Sequence, residues 1–153
     1  MKTILVPTDF SSSSKAGLRF AIQLASQHPY ELTFFHSYNI MRPTTWSKAT
    51  YEACEKKEAK KIQNHLHHFV NGVYRRMKVL PGKIKCAIKS SVLTGPNIME
   101  YARENKFNFI CISTRGAGKL NKIFGTNTSN LINHSSVPVI AVPHNYRTNK
   151  IKS

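Results

Sequence analysis

A stretch rich in glycine, hydroxyl and basic residues follows a strongly apolar segment and has the composition of a phosphate-binding loop. Glycines let the backbone approach a phosphate closely, and a helix that begins at the end of such a loop presents free N–H groups to an anion. The candidate contacts are Ser113, Arg115, Gly116, Gly118, Gly125, Thr126 and Asn127. Because glycine-rich loops also form ordinary turns, the composition alone leaves both interpretations open.

A second group of polar residues, Pro7, Thr8 and Asp9, follows the first apolar segment of the chain. In an open parallel sheet, ligands bind beyond the carboxyl ends of the strands, at the point where the strand order reverses. Loops that follow two such strands would therefore face one ligand. Asp9 could accept hydrogen bonds from that ligand, and a role in a turn or in capping the first helix is the alternative.

Several other kinds of site do not fit the residues. Asp9 is the only aspartate in the chain, so paired aspartates and aspartate-rich metal cages are excluded. His65 and His68 share a helical face but His67 points about 100° away from His68, which favours a solvated basic surface over a dedicated metal site. The chain has neither a Gly-x-Ser-x-Gly sequence nor a Walker A sequence, so we do not expect a conventional hydrolase or NTPase.

Apolar segments typical of strands alternate with helical patterns along the whole chain. The predicted strands are 2–7, 31–37, 84–93, 107–113 and 137–142, and the predicted helices are 15–27, 49–77, 96–105 and 127–135. The second helix has the clearest pattern, because Ala59, Ile62, Leu66 and Phe69 recur at spacings of three and four. The alternation predicts a doubly wound α/β domain with a mostly parallel sheet.

The charge of the chain favours anionic partners. There are 23 Lys and Arg residues against 7 Asp and Glu residues, which gives a formal net charge of +16. Lys56, Lys57, Lys60 and Lys61 form a basic strip that could contact a polyanion. Such runs are usually only solvated, and because no nucleic-acid-binding motif accompanies them, nucleic acid is not an expected partner.

Length and composition fit one intracellular domain. The chain has 153 residues, about the size of a single domain, and none of its apolar runs reaches the roughly 18 to 20 residues of a membrane span. We expect no membrane segment and no export. The isolated cysteines Cys54, Cys86 and Cys111 fit a reducing cytoplasm. The domain is expected to cover 1–144, with 145–153 as a basic tail.

Over nearly its whole length the sequence resembles the universal stress protein family. The resemblance is carried by Val6-Pro7-Thr8-Asp9-Phe10-Ser11, Phe35-His36-Ser37, Gly95-Pro96 and the closing Ser136-Val137-Pro138-Val139-Ile140-Ala141-Val142. Nucleotide-binding members of the family carry Gly-x-x-Gly, nine residues, and then Gly-Ser or Gly-Thr. In this chain Ser113 takes the place of the first glycine, and only eight residues separate Gly116 from Gly125.

The resemblance implies a fold and a function. The implied fold is a five-stranded parallel sheet of order 3-2-1-4-5, the adenine nucleotide alpha hydrolase-like fold. The implied function is that of a cytoplasmic stress-response regulator or sensor that binds ATP or AMP, with Mg²⁺ as a companion of ATP and with any ATP hydrolysis slow and incidental. A dimeric interaction module of the same fold that binds no nucleotide is the alternative.

The resemblance also implies roles for individual residues. Thr8 and Asp9 would contact the adenosine part of the nucleotide, and Ser37 would line the adenine pocket. Gly116, Gly125 and Thr126 would hold the phosphates and the ribose. Because the motif departs from the family pattern, AMP and ADP are expected to compete better against ATP than they do in a relative with the complete motif.

The last predicted strand, Val137 to Val142, is expected to form a homodimer. It contains no charged residue, although an exposed sheet edge is normally protected by charge. Antiparallel pairing with its own copy would give a closed two-fold interface, and universal stress proteins commonly dimerise through this strand. The alternative is an edge that the chain covers with its own tail, 143–153.

Overall fold

The computed structural model describes residues 1–115 and 126–147. Strands and helices alternate through these ranges: β1 (Lys2–Pro7), α1 (Lys15–Gln27), β2 (Tyr30–Tyr38), α2 (Lys48–Met77), β3 (Lys85–Ser90), α3 (Thr94–Glu104), β4 (Phe109–Ser113), α4 (Thr126–His134) and β5 (Val139–Val142). Within the described ranges, no helix combines the length and the apolar character of a membrane span.

The strands form one parallel sheet in the order β3-β2-β1-β4-β5. The predicted fold class and strand order are confirmed. The chain builds the sheet outward from β1 to β3 and then returns to the other side of β1 to place β4. The strand order therefore reverses between β1 and β4, where a parallel sheet opens a crevice at its carboxyl end.

Helices cover both faces of the sheet. Ile4 and Val6 of β1 belong to a buried cluster with residues of α1 and α2, whereas Leu5 belongs to a cluster with residues of α3 and α4. Because successive strand residues point to opposite faces, the central strand is apolar on both faces from Ile4 to Pro7. This explains why Ile4, Leu5 and Val6 are all completely buried.

Some predicted strands were too long. β3 ends at Ser90 rather than at position 93, because Ser91 turns the chain: its Oγ accepts a hydrogen bond from the N–H of Leu93 at 3.3 Å. β4 begins at Phe109 rather than at 107, since the N–H of Phe107 still bonds to Ala102 at the end of α3. β5 begins at Val139, because Pro138 has no N–H to donate to a neighbouring strand.

Candidate functional site

A cavity of about 270 Å³ opens beyond the carboxyl ends of β1 and β4. Most of the predicted site residues line it, namely Pro7, Thr8, Asp9, Ser37, Ser113, Arg115, Thr126 and Asn127. The predicted residues Gly116, Gly118 and Gly125 lie outside the described residues. The structure thus brings together the two groups of polar residues that follow β1 and β4, more than a hundred positions apart in the sequence.

The hydroxyl of Thr8 belongs to a directed chain of hydrogen bonds beneath this cavity. Ser14 Oγ donates to the carbonyl of Ser11 at 2.7 Å, so the 2.7 Å bond between Thr8 Oγ1 and Ser14 Oγ has Thr8 as its donor. Thr8 Oγ1 in turn accepts from the N–H of Phe10 at 3.0 Å. Both hydroxyls are therefore engaged within the protein: Thr8 has no hydroxyl proton left to donate to a ligand, and its Oγ1 keeps one lone pair that can accept.

Asp9 lies at the rim of the cavity, where its carboxylate also shapes the loop. Asp9 Oδ1 accepts a hydrogen bond from the N–H of Ser11 at 3.0 Å, the pattern of an Asx turn. Phe10, between them, adopts a left-handed conformation with φ of 66°. The turn role that the sequence left open is thus observed, with Asp9 exposed and still lining the cavity.

His36 connects the first loop to β2 and to α2. A carbonyl oxygen can only accept, so the 2.7 Å contact between His36 Nδ1 and the oxygen of Thr8 means that Nδ1 carries the proton. The ring of Phe10 is stacked between His36 and His65, with both centroid distances 4.2 Å. Burial lowers the pKa of His36, which favours the neutral imidazole. The loop that carries Asp9 is thereby held on both sides by aromatic rings.

Ser113 caps helix α1 from across the fold. Its Oγ accepts the N–H of Gly17 at 2.7 Å and donates to the carbonyl of Ser14 at 3.0 Å. Gly17 belongs to the first turn of α1, whose N–H groups lack partners within the helix, and the side chain of the preceding Ser14 makes no capping bond. Ser113, which stands where the family motif has glycine, therefore has its hydroxyl bound to α1.

Gly17 and Ser113 are packed directly against each other. A Cβ built at Gly17 would lie 3.0 Å from the backbone nitrogen of Ser113 and 3.1 Å from its Oγ. Helix α1 can approach β4 this closely because position 17 has no side chain. The residue that departs from the family motif thus depends on a glycine almost one hundred residues earlier in the sequence.

The other side of the cavity is fixed by α3 and α4. Asn97 is buried and donates to Ser37 Oγ at 2.8 Å and to the carbonyl of Lys89 at 3.0 Å, which ties the ends of β2 and β3 to α3. Thr128 Oγ1 donates to the carbonyl of Ser113 at 2.7 Å and so holds the first turn of α4 against the end of β4.

The cavity can accommodate an anion next to an apolar surface. Thr126, Asn127 and Thr128, all in the first turn of α4, line it, so the positive end of the helix dipole opens onto it. Arg115 adds a permanent positive charge to the lining. Ile98 and Ile112 supply apolar area. No cluster of three or more potential metal-ligating residues occurs in 1–115 or 126–147.

Sequence reasoning missed part of the lining: Ser14, His36, Thr94, Ile98, Ile112 and Thr128. A signal was available for two of these residues, since His36 and Ile112 directly precede the predicted site residues Ser37 and Ser113. The helix residues could not be assigned, because which side of a first helical turn faces the crevice depends on how that helix packs on the sheet.

Comparisons with known proteins agree with this architecture. A model of the universal stress protein family matches residues 1–143. The fold is similar to that of universal stress protein UspA from Lactobacillus plantarum, with 21% identity, a TM-score of 0.69, and coverage of 92% of this chain and 97% of that chain. A search of curated protein sequences found no significant match.

Two similar solved structures contain nucleotides. A universal stress protein family protein from Arabidopsis thaliana, with AMP bound, has 14% identity, a TM-score of 0.61, and coverage of 95% of this chain and 93% of that chain. The universal stress protein from Archaeoglobus fulgidus, in complex with dAMP, has 18% identity, a TM-score of 0.56, and coverage of 93% and 98% respectively. At these identities the likeness of the structures shows a common fold.

Proposed function

This chain belongs to the universal stress protein family, and we propose that it is a stress-response regulator that binds an adenine nucleotide, ATP or AMP, in the cavity beyond β1 and β4. The observation that carries the proposal is the convergence of Asp9, Arg115 and the first turn of α4 on one cavity. The relatives from Arabidopsis thaliana and Archaeoglobus fulgidus hold AMP and dAMP, which supports an adenine nucleotide as the ligand.

The lining suggests how each part of the nucleotide would be held. Arg115 and the N–H groups at the start of α4 suit the phosphates, since both carry positive charge. The exposed carboxylate of Asp9 suits the ribose hydroxyls, which donate hydrogen bonds. Ile98 and Ile112 suit the face of the adenine ring. Mg²⁺ would enter with the phosphates of ATP.

We propose binding without efficient catalysis. The only carboxylate among the described residues that line the cavity is Asp9, and its Oδ1 already accepts a hydrogen bond from the backbone. The Nδ1 proton of His36 is held by the carbonyl of Thr8. An efficient hydrolase would need a general base within hydrogen-bonding distance of an attacking water. The proposal assigns Asp9 to the ribose, and the ring of His36, whose Nε2 keeps its lone pair, is stacked against Phe10.

Mass spectrometry of the protein purified without added nucleotide tests the proposal. We expect an adenine nucleotide to accompany the parent protein and to be lost from Gly125→Val, because a β-branched residue in the phosphate loop would block close backbone approach. Gly72→Val is the matched control, since a Cβ at Gly72 meets no atom within 4 Å. If ATP raises the melting temperature of Gly125→Val as much as that of the parent, the loop assignment is wrong.

We further propose that the protein forms a homodimer through β5. This strand lies at the edge of the sheet, and Val139, Ile140 and Ala141 are half-buried in the single chain. The opposite edge strand, β3, carries Lys85 and Lys89, which pair with glutamates. Charge protects one edge of the sheet and leaves the other apolar.

The described part of the tail supports the same proposal, because it packs elsewhere. Tyr146 contacts Phe20 of α1 with a ring-centroid distance of 5.6 Å, and its carbonyl accepts a bond from Arg19 Nε at 3.2 Å. Through residue 147, the tail therefore lies against α1, and among the described residues β5 pairs only with β4.

Sedimentation at micromolar concentration tests the dimer. Ile140→Lys should split it, because an unpaired charge would be buried at the interface; Val142 is a poorer choice since it is 2% exposed in the single chain. Ala87→Lys on the opposite edge strand is the control and should leave the dimer intact. A parent protein that sediments as a monomer would rule the dimer out.

A further inference from the structure

Helix α2 presents exposed basic residues to solvent on a side that does not pack on the sheet: a cluster of four lysines within 56–61, and Arg75 about 21 Å further along the helix. At about 100° per residue, its buried residues Leu66, Val70 and Val73 lie in one arc. A second arc of roughly 140°, which does not overlap the first, carries five of the cations of the helix, whereas Lys48 and Arg76 lie outside it. The five exposed residues within this arc, which we call the α2 basic face, are Lys56, Lys57, Lys60, Lys61 and Arg75.

The positive charge of the α2 basic face is little compensated. The acidic residues of α2 are Glu52, Glu55 and Glu58, and the helical repeat places all of them outside the arc. Residues 59–77 contain no acid. Lys61 Nζ lies 3.5 Å from Glu58 Oε1, whereas within the described residues the other four cations form no ion pair. Exposed His67 and His68 and the amide of Asn64 complete the surface.

The sequence carries no nucleic-acid-binding motif, and no nucleic acid partner is expected from it; from the placement of these charges we nevertheless propose that the α2 basic face binds the phosphate backbone of a duplex nucleic acid. From Lys56 to Arg75 the face runs about 29 Å along the helix. A duplex carries one phosphate charge about every 1.7 Å of its axis, counted over both strands, so the lysine cluster lies within reach of several phosphates when the helix rests against the duplex. The net charge of +16 adds a long-range attraction, and Asn64 supplies a neutral donor of the type that contacts phosphate oxygens.

The α2 basic face has no exposed aromatic or aliphatic side chains, and this absence favours a duplex over other anionic partners. Between Lys56 and Arg75 it has no exposed phenylalanine, tyrosine or tryptophan, and base stacking on such residues is what usually holds single strands. It also has no exposed leucine, isoleucine, valine or methionine to insert into a lipid layer or to form the core of a protein interface. Binding should therefore be electrostatic and independent of base sequence.

Fluorescence anisotropy with labelled duplexes of about 16 base pairs, over a series of salt concentrations, tests the proposal. The test variant is Lys57→Gln, Lys60→Gln, Arg75→Gln, which removes three exposed charges from the face. The control is Lys83→Gln, Arg103→Gln, Lys106→Gln, which removes three exposed charges from elsewhere. We expect the test variant to lose at least about tenfold in affinity at roughly 0.1 M salt, and its salt slope to fall by about 2.7, since each contact contributes about 0.9.

The control variant should stay within about twofold of the parent. Lys57→Arg with Lys60→Arg, which keeps the charges, should bind like the parent, and melting temperatures should show that all variants are folded. The affinities of the parent for duplex DNA and for duplex RNA of the same sequence show which of the two it prefers. Equal losses in the test and control variants would overturn the proposal, as would tighter binding of the parent to phosphatidylserine vesicles than to either duplex.

Discussion

The two ends of the sheet differ in the burial of their polar side chains. In the described part of the chain, the buried polar side chains all lie at the carboxyl end of the strands or on helical turns beside it: Thr8, Ser14, Asn97, Ser113, Thr114 and Thr128. The amino end has a smaller depression of about 200 Å³, whose polar lining includes Glu31, Lys83 and Lys85. There the ion pair between Lys85 and Glu31 remains partly exposed to water.

The difference shows which end is preorganised. A buried hydroxyl or amide without a hydrogen-bond partner destabilises the folded state by about 1–3 kcal/mol. The described residues avoid this loss, because none of their buried side-chain nitrogen or oxygen atoms lacks a hydrogen bond. The carboxyl end therefore holds its loops in fixed positions by contacts between distant parts of the chain. At the amino end, Glu31, Lys83 and Lys85 are partly or largely exposed to water, so that end offers an incoming ligand few buried polar groups of fixed geometry.

The largest difference between the two ends is expected when one carboxylate is removed from each end and the affinity for ATP is compared. Asp9→Ala removes a charged acceptor from the proposed site, which we expect to cost about 1.5–3 kcal/mol, or more than tenfold in affinity for ATP. Glu31→Ala removes a carboxylate from the amino end and should leave that affinity unchanged. Calorimetric titration of both folded variants with ATP shows which end of the sheet binds the nucleotide. Equal affinities of Asp9→Ala and the parent would refute the role of Asp9.

The next largest effect tests the close approach of α1 to β4. Gly17→Val would force side-chain atoms against the backbone of β4, because a single Cβ already lies 3.0 Å from the nitrogen of Ser113. We expect a loss of about 1–3 kcal/mol in the free energy of unfolding. Gly72→Val, also within a helix but with open space around its Cβ, should be close to neutral in urea denaturation. Similar losses for both variants would contradict the packing argument, because valine has a higher helix propensity than glycine and propensity alone gives no loss at either position.

A smaller effect is expected from the capping hydroxyl. Ser113→Ala leaves the N–H of Gly17 without its acceptor, which should cost about 0.5–2 kcal/mol of stability. Because the Ser113 hydroxyl is bound to α1, removing it should change ATP affinity less than twofold, or about 0.4 kcal/mol. Ser26→Ala is a control, since that exposed hydroxyl bonds only within its own helix. A tenfold gain in ATP affinity for Ser113→Ala would mean that the serine obstructs the site.

The smallest expected effect is on the pH dependence of the free energy of unfolding. Burial lowers the pKa of His36 in the folded protein, so the unfolded chain binds a proton more readily at this position. The free energy of unfolding should therefore fall as pH drops below about 6.5, the ordinary histidine pKa. His36→Asn should show a shallower fall than the parent in denaturation between neutral and mildly acidic pH, while exposed His67→Asn should follow the parent. Parallel curves for parent and His36→Asn would contradict this assignment.

The sequence predicted the sheet and much of the cavity, because both follow from local patterns. Alternating apolar segments placed the strands, and the rule that ligands bind where strand order reverses placed Thr8 and Asp9 beside Ser113. The contacts that fix these residues could not be predicted. Ser113 caps a helix that begins almost one hundred residues earlier, and Phe10 stacks on His65 of a different helix. Such pairs depend on the packed fold and leave no periodic signal.

The central claim is that an adenine nucleotide binds at the carboxyl end of the sheet. The most direct test is a titration of isotope-labelled, nucleotide-free protein with AMP, followed by backbone amide NMR shifts. We predict saturable shifts at Thr8, Asp9, Arg115 and Thr128, with the amides of Tyr30 and Lys83 at the amino end unchanged. No shift at millimolar AMP, or shifts confined to the amino end, would contradict the account.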